Sequence, residues 1–214
     1  MDTINKRPII LLGAGGHAKV LLSLLQLLDF SIVGVCAPEL NMKDISSWRG
    51  VRVLEENLIL DEYQADEIVL VNAIGQQPKQ DVRIRVFERF KTQGYYFPSL
   101  IHPLACVDTT VSLSEGVQVM ASVTIQADTQ VGMNTILNTG SNIDHDVFVG
   151  DHAHVAPGAV LCGGVHIEKR AFVGSGAVLA QGIRVGEAAC IGAGSSIVRD
   201  VMPGKKVIPA AVRD

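Results

Sequence analysis

From residue 105 to residue 198 the chain holds one hydrophobic frame in steps of six. Val107, Leu113, Val119, Ile125, Val131, Leu137, Ile143 and Val149 open a series of sixteen aliphatic residues that runs to Ile197. The residue two places before each is Ala, Val, Ile, Ser or Thr, from Ala105 to Ser195. A spacing of two puts both on one side of a strand. Glycine recurs in the remaining positions, as at Gly116, Gly140, Gly164 and Gly182, where a chain that turns needs backbone freedom. The frame predicts a parallel β-helix in which each hexapeptide is a short strand plus a corner and three make one coil. Large aliphatic side chains fill the prism, and coils stack at about 4.8 Å. Sixteen hexapeptides make just over five coils. A β-sandwich would break the frame at its loops.

The first hundred residues follow a different pattern. Pro8 to Leu12 reads as a buried strand, Gly13 to Lys19 as a glycine loop, and Val20 to Leu28 as a helix. Ser31 to Cys36, Val51 to Leu54 and Ile68 to Ala73 read as further strands, and residues 79–93 as a helix ending at Gly94. Alternating strands and helices predict a Rossmann-like βαβ domain. The expected architecture is α/β plus β, with domains at 1–98 and 99–214. Tyr95 to Pro103 reads as the linker, Arg199 to Gly204 as the closure of the prism, and Lys205 to Asp214 as a peripheral tail.

Composition narrows the function. Aromatic residues make up only 5% of the chain against 48% hydrophobic, which suits a narrow β-helix interior. The net charge of −4 gives no basic surface for nucleic acid or membrane. No apolar run reaches the length of a membrane span, and the N-terminus lacks the pattern of a signal peptide. Cys36, Cys106, Cys162 and Cys190 lie in apolar stretches with no CxxC spacing, so buried, reduced thiols in a cytoplasmic protein are expected.

A strand, glycine loop and helix aim backbone N–H groups at a phosphate. Taken alone, the loop also fits simple packing of helix on strand. A dinucleotide fold would place an acidic residue at the end of the second strand, where Ala37-Pro38-Glu39 stands, so a single nucleoside diphosphate fits better than NAD. His145 follows Ile143 by two places and takes a corner; His154 precedes inward Val155 and faces out, as do His152 and His166. An outward histidine is either a plain surface residue or a functional one.

The glycine loop, followed in a hexapeptide frame by Asn138-Thr-Gly-Ser-Asn-Ile-Asp-His-Asp146 and by Gly150 to Gly158, resembles the NeuD/PglD group of bacterial sugar acyltransferases. These are sialic acid O-acetyltransferases and N-acetyltransferases of nucleotide-linked 4-amino sugars. The resemblance covers nearly the whole chain. It implies a left-handed β-helix, a homotrimer, acetyl-CoA lying between neighbouring β-helices, no metal, and a role in surface-glycan synthesis. It also implies that His145 is the catalytic base, oriented by Asp146. His154 and the Gly163 N–H would lie near the thioester, and Gly174 to Ala180 would flank the pantetheine arm. Gly13, Ala14, Gly15, Gly16, His17, Pro38, Gly75, Arg83 and Asn138 would meet the nucleotide sugar. Two departures stand out: Ala37-Pro38-Glu39 replaces a pair of acidic residues, and Ile208-Pro209-Ala210 lacks the family's glycine.

The leading expectation is N-acetylation of a UDP-, dTDP- or GDP-linked 4-amino-4,6-dideoxy sugar. The alternatives are O-acetylation of sialic acid or a polysaccharide hydroxyl, and a non-catalytic β-helix acting as scaffold or metal carrier. His145, His152 and His154 are not spaced by eighteen, so they do not stack along one edge.

Overall fold

The computed structural model describes residues 7–78 and 80–209. It divides into two compact units, the first of residues 7–76 and 80–98 and the second of residues 99–209 together with the short stretch 77–78. The tail beyond Pro209, including Ala210, lies outside the described residues.

The first unit begins with β1 (Ile9–Leu12), α1 (Gly16–Leu27), β2 (Ile32–Cys36), α2 (Pro38–Asn41), β3 (Ser47–Trp48) and β4 (Val51–Leu54). It ends with α3 (Glu56–Glu62), β5 (Val69–Asn72) and α4 (Val82–Thr92). The sheet order is β3-β4-β2-β1-β5, parallel except for the β3–β4 edge. Every residue of β1 and β5 is buried, Asn72 at the end of β5 being the one polar member, as near-continuous apolar strands demand of a sheet covered on both faces. Helix α1 buries Ala18, Leu21, Leu22, Leu24 and Leu25, a stripe at helical spacing. It starts at Gly16, earlier than the apolar periodicity indicates, because Gly15 is extended (φ −76°, ψ −163°) and ends the loop there. Phe87 and Phe97 close the core with ring centroids 4.6 Å apart.

The second unit is the β-helix. Asn142 pairs with Val160, and Val160 with Val178, eighteen residues apart each time. The same register builds three parallel sheets, distinguished here by Asn142, Phe148 and His154, which point outward from them. The sixfold frame supplies the interior: Val119, Val149, Val155, Leu161, Ile167 and Val173 are fully buried. Burying such a side chain stabilises by roughly 1.5–3 kcal/mol. Corners are taken by residues in the left-handed region, among them Asp146 at φ 58° and His152 at φ 57°. Asn, Asp and His tolerate that region better than other non-glycine residues.

Both ends of the β-helix differ from the sequence reading. Leu100–Ile101, expected as linker, pairs with Gln118 and Val119 and is already a strand of the His154 sheet. Past Ile197, Val201 bridges Val185, and Lys206–Val207 pairs with Cys190–Ile191. That register is sixteen rather than eighteen, so the last coil is two residues short and the frame slips. Cysteine burial also differs. Cys36 and Cys190 are buried, Cys162 is half-buried, and Cys106 is exposed on an outward strand position.

Candidate active site

His145 and Asp146 form the corner between the Asn142 and Phe148 strands. The left-handed turn at Asp146 folds its carboxylate back, and Asp146 Oδ2 lies 2.7 Å from His145 Nδ1. An ionised carboxylate only accepts, so Nδ1 carries the proton and Nε2 is the basic nitrogen. Asp144 Oδ1 accepts the His145 N–H at 2.8 Å. The corner is tied to its neighbours by Asp146 N donating to the Ala127 carbonyl (3.0 Å) and Gly164 N donating to the His145 carbonyl (2.9 Å). The imidazole side chain is 54% exposed. Its pKa is raised above the ordinary histidine value, first by the Asp146 hydrogen bond and then by the charge of Asp144.

One coil further on, Gly163 explains the ring's placement. A Cβ at Gly163 would stand 2.7 Å from both Cε1 and Nε2 of His145. The imidazole therefore rests against a bare Cα. The Gly163 N–H donates to no acceptor among the described residues. Cys162 and Asp144 line a shallow groove of about 200 Å³ beside this corner, with Asn142, Thr124 and Val160. Ala180 belongs to the same row, eighteen residues beyond Cys162.

His154 is elsewhere. It lies nine residues from His145, half an eighteen-residue coil, on another side of the prism. It is only 6% exposed, contrary to the reading of an open outward histidine. Its neighbours on the outer row, Gln118 and Ile136, are also buried, so this row is covered. The ring packs on Phe172 at 5.0 Å between centroids, and Nε2 is 3.4 Å from Asn138 Nδ2. Gly174 shares the Asn138 corner row; a Cβ there would come within 2.5 Å of Ala193 N, so its glycine is required by packing. The β-helix thus brings together His145, Asp146 and Gly163 at one corner, with Ala180 two coils on in the Asp144–Cys162 row, and sets Asn138, His154 and Gly174 on another side. The other two histidines read as outward have local partners: His152 Nδ1 is 3.1 Å from Asn134 Nδ2, and His166 stacks on Phe148 at 4.5 Å.

In the first unit, a cavity of about 310 Å³ opens at the C-terminal edge of the sheet. Gly13 and Pro38 line it. Gly13 is at φ +112°, and a Cβ there would reach Ile74 Cγ1 at 3.0 Å, so this position demands glycine. At Gly15 and Gly16 a Cβ would meet nothing, so the loop's outer face is open to approach by a ligand. No side chain caps the first turn of α1 and no acidic residue lies in it. Ala14 completes the loop, and a Cβ at Gly75 would stand 3.5 Å from that of His17. Arg83 does not line the cavity. It is 2% exposed, and its Nη1 donates to the carbonyls of Asn72 (2.7 Å) and Ile74 (2.8 Å). Burial pulls its pKa down to about 9. Arg83 thus fixes the β5 loop from beneath, with Asn72 Nδ2 returning a bond to its carbonyl at 2.9 Å. Glu39 and Glu56 line the same cavity. Sequence reading missed Glu56, since nothing in its local pattern ties it to residues forty positions away.

Among the described residues no three His, Cys, Asp or Glu side chains converge on a metal-ligating geometry, and no helix is long and apolar enough to cross a membrane.

A Rossmann-like unit with a glycine loop joined to a hexapeptide β-helix with a carboxylate-paired imidazole defines a hexapeptide-repeat acyltransferase. Residues 8–90 match the PglD N-terminal domain, and residues 146–181 match the bacterial transferase hexapeptide model of six repeats. A histidine-to-alanine variant of GDP-perosamine N-acetyltransferase from Caulobacter crescentus, in complex with CoA and GDP-perosamine, is 31% identical over 97% of each chain, with a TM-score of 0.85. The acetyltransferase domain of PglB from Neisseria gonorrhoeae, in complex with acetyl coenzyme A, is 30% identical over 95% of this chain and 96% of that one, also at 0.85. WeeI from Acinetobacter baumannii shares the fold at 24% identity, over 97% of this chain and 99% of that one, with a TM-score of 0.84. The chain belongs to the NeuD/PglD family of hexapeptide-repeat, acetyl-CoA-dependent sugar acetyltransferases, and its coil is the left-handed β-helix of that family.

Proposed function

We propose that the protein transfers the acetyl group of acetyl-CoA to the 4-amino group of a nucleotide-linked 4-amino-4,6-dideoxy sugar, with His145 as general base. The observation that carries this is the corner itself: an exposed imidazole with Nδ1 bound to a carboxylate and Nε2 free, seated on Gly163. The amine nitrogen attacks the thioester carbonyl, and His145 Nε2 takes the N–H proton as the C–N bond forms. The C–S bond then breaks, and the imidazolium returns the proton to the departing thiolate. Asp146 and Asp144 favour the transient imidazolium. The uncommitted Gly163 N–H is suited to stabilise the carbonyl oxygen as it becomes negative.

A homotrimer is the assembly the family resemblance implies, with a neighbouring copy supplying the second wall of the acetyl-CoA groove at the His145 corner. The glycine loop of the first unit holds the substrate's phosphates. That the two relatives were crystallised with CoA and GDP-perosamine, or with acetyl coenzyme A, supports the same pair of ligands here. We place the reaction in the cytoplasm, where nucleotide sugars and acetyl-CoA meet, ahead of surface-glycan assembly.

The test is thiol release from acetyl-CoA with matched 4-amino and 4-hydroxy nucleotide sugars. Release with the amine and none with the alcohol is expected; the reverse would make the protein an O-acetyltransferase. The pH profile adds a sign. Only neutral His145 can accept a proton, so kcat/KM falls as pH drops through a histidine pKa that Asp146 holds high. Asp146→Asn removes the largest cause of that elevation. Its acid limb moves to lower pH, with a lower plateau rate, on the same acceptor.

A further inference from the structure

The cavity of the first unit carries more than a general fit to a nucleotide. Its walls are apolar, from Leu12, Ile74, Val86 and Phe90, and it sits where β1, β2 and β5 end. In an open α/β sheet that crevice is where ligands bind. Its volume of about 310 Å³ is at the small end of ligand pockets. The charged groups that line it are all carboxylates: Glu39, just past β2, and Glu56, at the start of α3. Both act on one thiol at the cavity wall. Cys36 is pushed up to about 12 by burial, then by the charges of Glu56 and Glu39. The two carboxylates therefore share one small volume with a neutral thiol. Arg89 pairs with Glu56 and holds it in place, while Glu39 makes no hydrogen bond or ion pair among the described residues.

Carboxylates accept hydrogen bonds and donate none. The bases of sugar nucleotides differ on that point. Guanine presents N1–H and the N2 amine side by side, two parallel donors on one edge. Uracil and thymine present a single N3–H between two carbonyl oxygens, which carboxylates repel. Adenine presents one amine beside an acceptor nitrogen. We propose that this cavity selects guanine, with Glu39 and Glu56 accepting the N1–H and N2 amine, and that the acceptor substrate is a GDP-linked amino sugar. This rests on reading the first unit as the nucleotide-sugar site.

Calorimetric titration of the full-length protein with GDP, IDP, UDP and dTDP tests it without a sugar. GDP is expected to bind at least about tenfold tighter than UDP or dTDP, the discrimination a charge-assisted donor–acceptor pair gives. IDP, which lacks only the N2 amine, should fall between them. The Glu39→Gln/Glu56→Gln double variant should lose the preference for GDP while its UDP affinity stays within about threefold. UDP or dTDP matching GDP, IDP matching GDP, or a preference for GDP that survives in the double variant would each overturn guanine selection and leave the nucleotide site standing. Binding of none of the four would overturn the nucleotide site and this inference with it.

Discussion

His145→Ala is expected to lower kcat for acetyl transfer about a thousandfold, within the range that general-base catalysis supplies. KM for both substrates should stay within about threefold, because the imidazole is assigned to the proton rather than to ground-state binding. The melting temperature should not move. The side chain is 54% exposed, its ring nitrogen bonds only the still more exposed Asp146, and the backbone bonds of the corner survive the change. Added imidazole should restore part of the rate. Activity within tenfold of wild type would remove His145 from the base's role, whatever else the corner does.

Gly163→Ala is expected to lower kcat about a hundredfold, the effect of misplacing a catalytic group by an ångström or so. The new methyl would stand 2.7 Å from two ring atoms, well inside contact distance. The imidazole must swing outward and loosen its bond to Asp146. Gly163 is not in the left-handed region, so alanine itself is unstrained and the coil remains. Stability and catalysis should therefore separate. The same loosening removes the first cause of the raised His145 pKa, so the acid limb should shift to lower pH along with the loss of rate. An unchanged rate and profile would show that the ring's seat on Gly163 plays no part in turnover.

Most of the β-helix is legible in the sequence because each interior position answers to one constraint. The prism admits one large aliphatic and one small residue per hexapeptide, so Val155 with Ala153, or Leu161 with Ala159, declares the frame locally. The ends are less legible. Val201 and Lys206–Val207 join the ladder through a coil shortened by two residues, and no sixfold reading carries across that slip. The His145 corner was legible because Asp144, His145 and Asp146 are adjacent and interact with one another. Its seat on Gly163 follows only from the eighteen-residue register. His154 is outward by strand parity, as read, but parity says nothing about what covers an outer row, and this row is buried. The cavity of the first unit gathers Gly13, Glu39, Glu56 and Phe90 from four separate elements, so only the fold could assemble it. Arg83 carries the opposite lesson: a charged residue near a binding loop can be wholly engaged by backbone carbonyls beneath it.

Direct passage of acetyl from thioester to amine beside His145 is tested most closely by a rapid-mixing experiment with protein in excess over acetyl-CoA. Without acceptor, no burst of thiol is expected; with the nucleotide-linked amino sugar, one thiol and one N-acetyl product should appear together. A stoichiometric thiol burst without acceptor, with acetyl left on Cys162 beside the same groove, would contradict direct transfer.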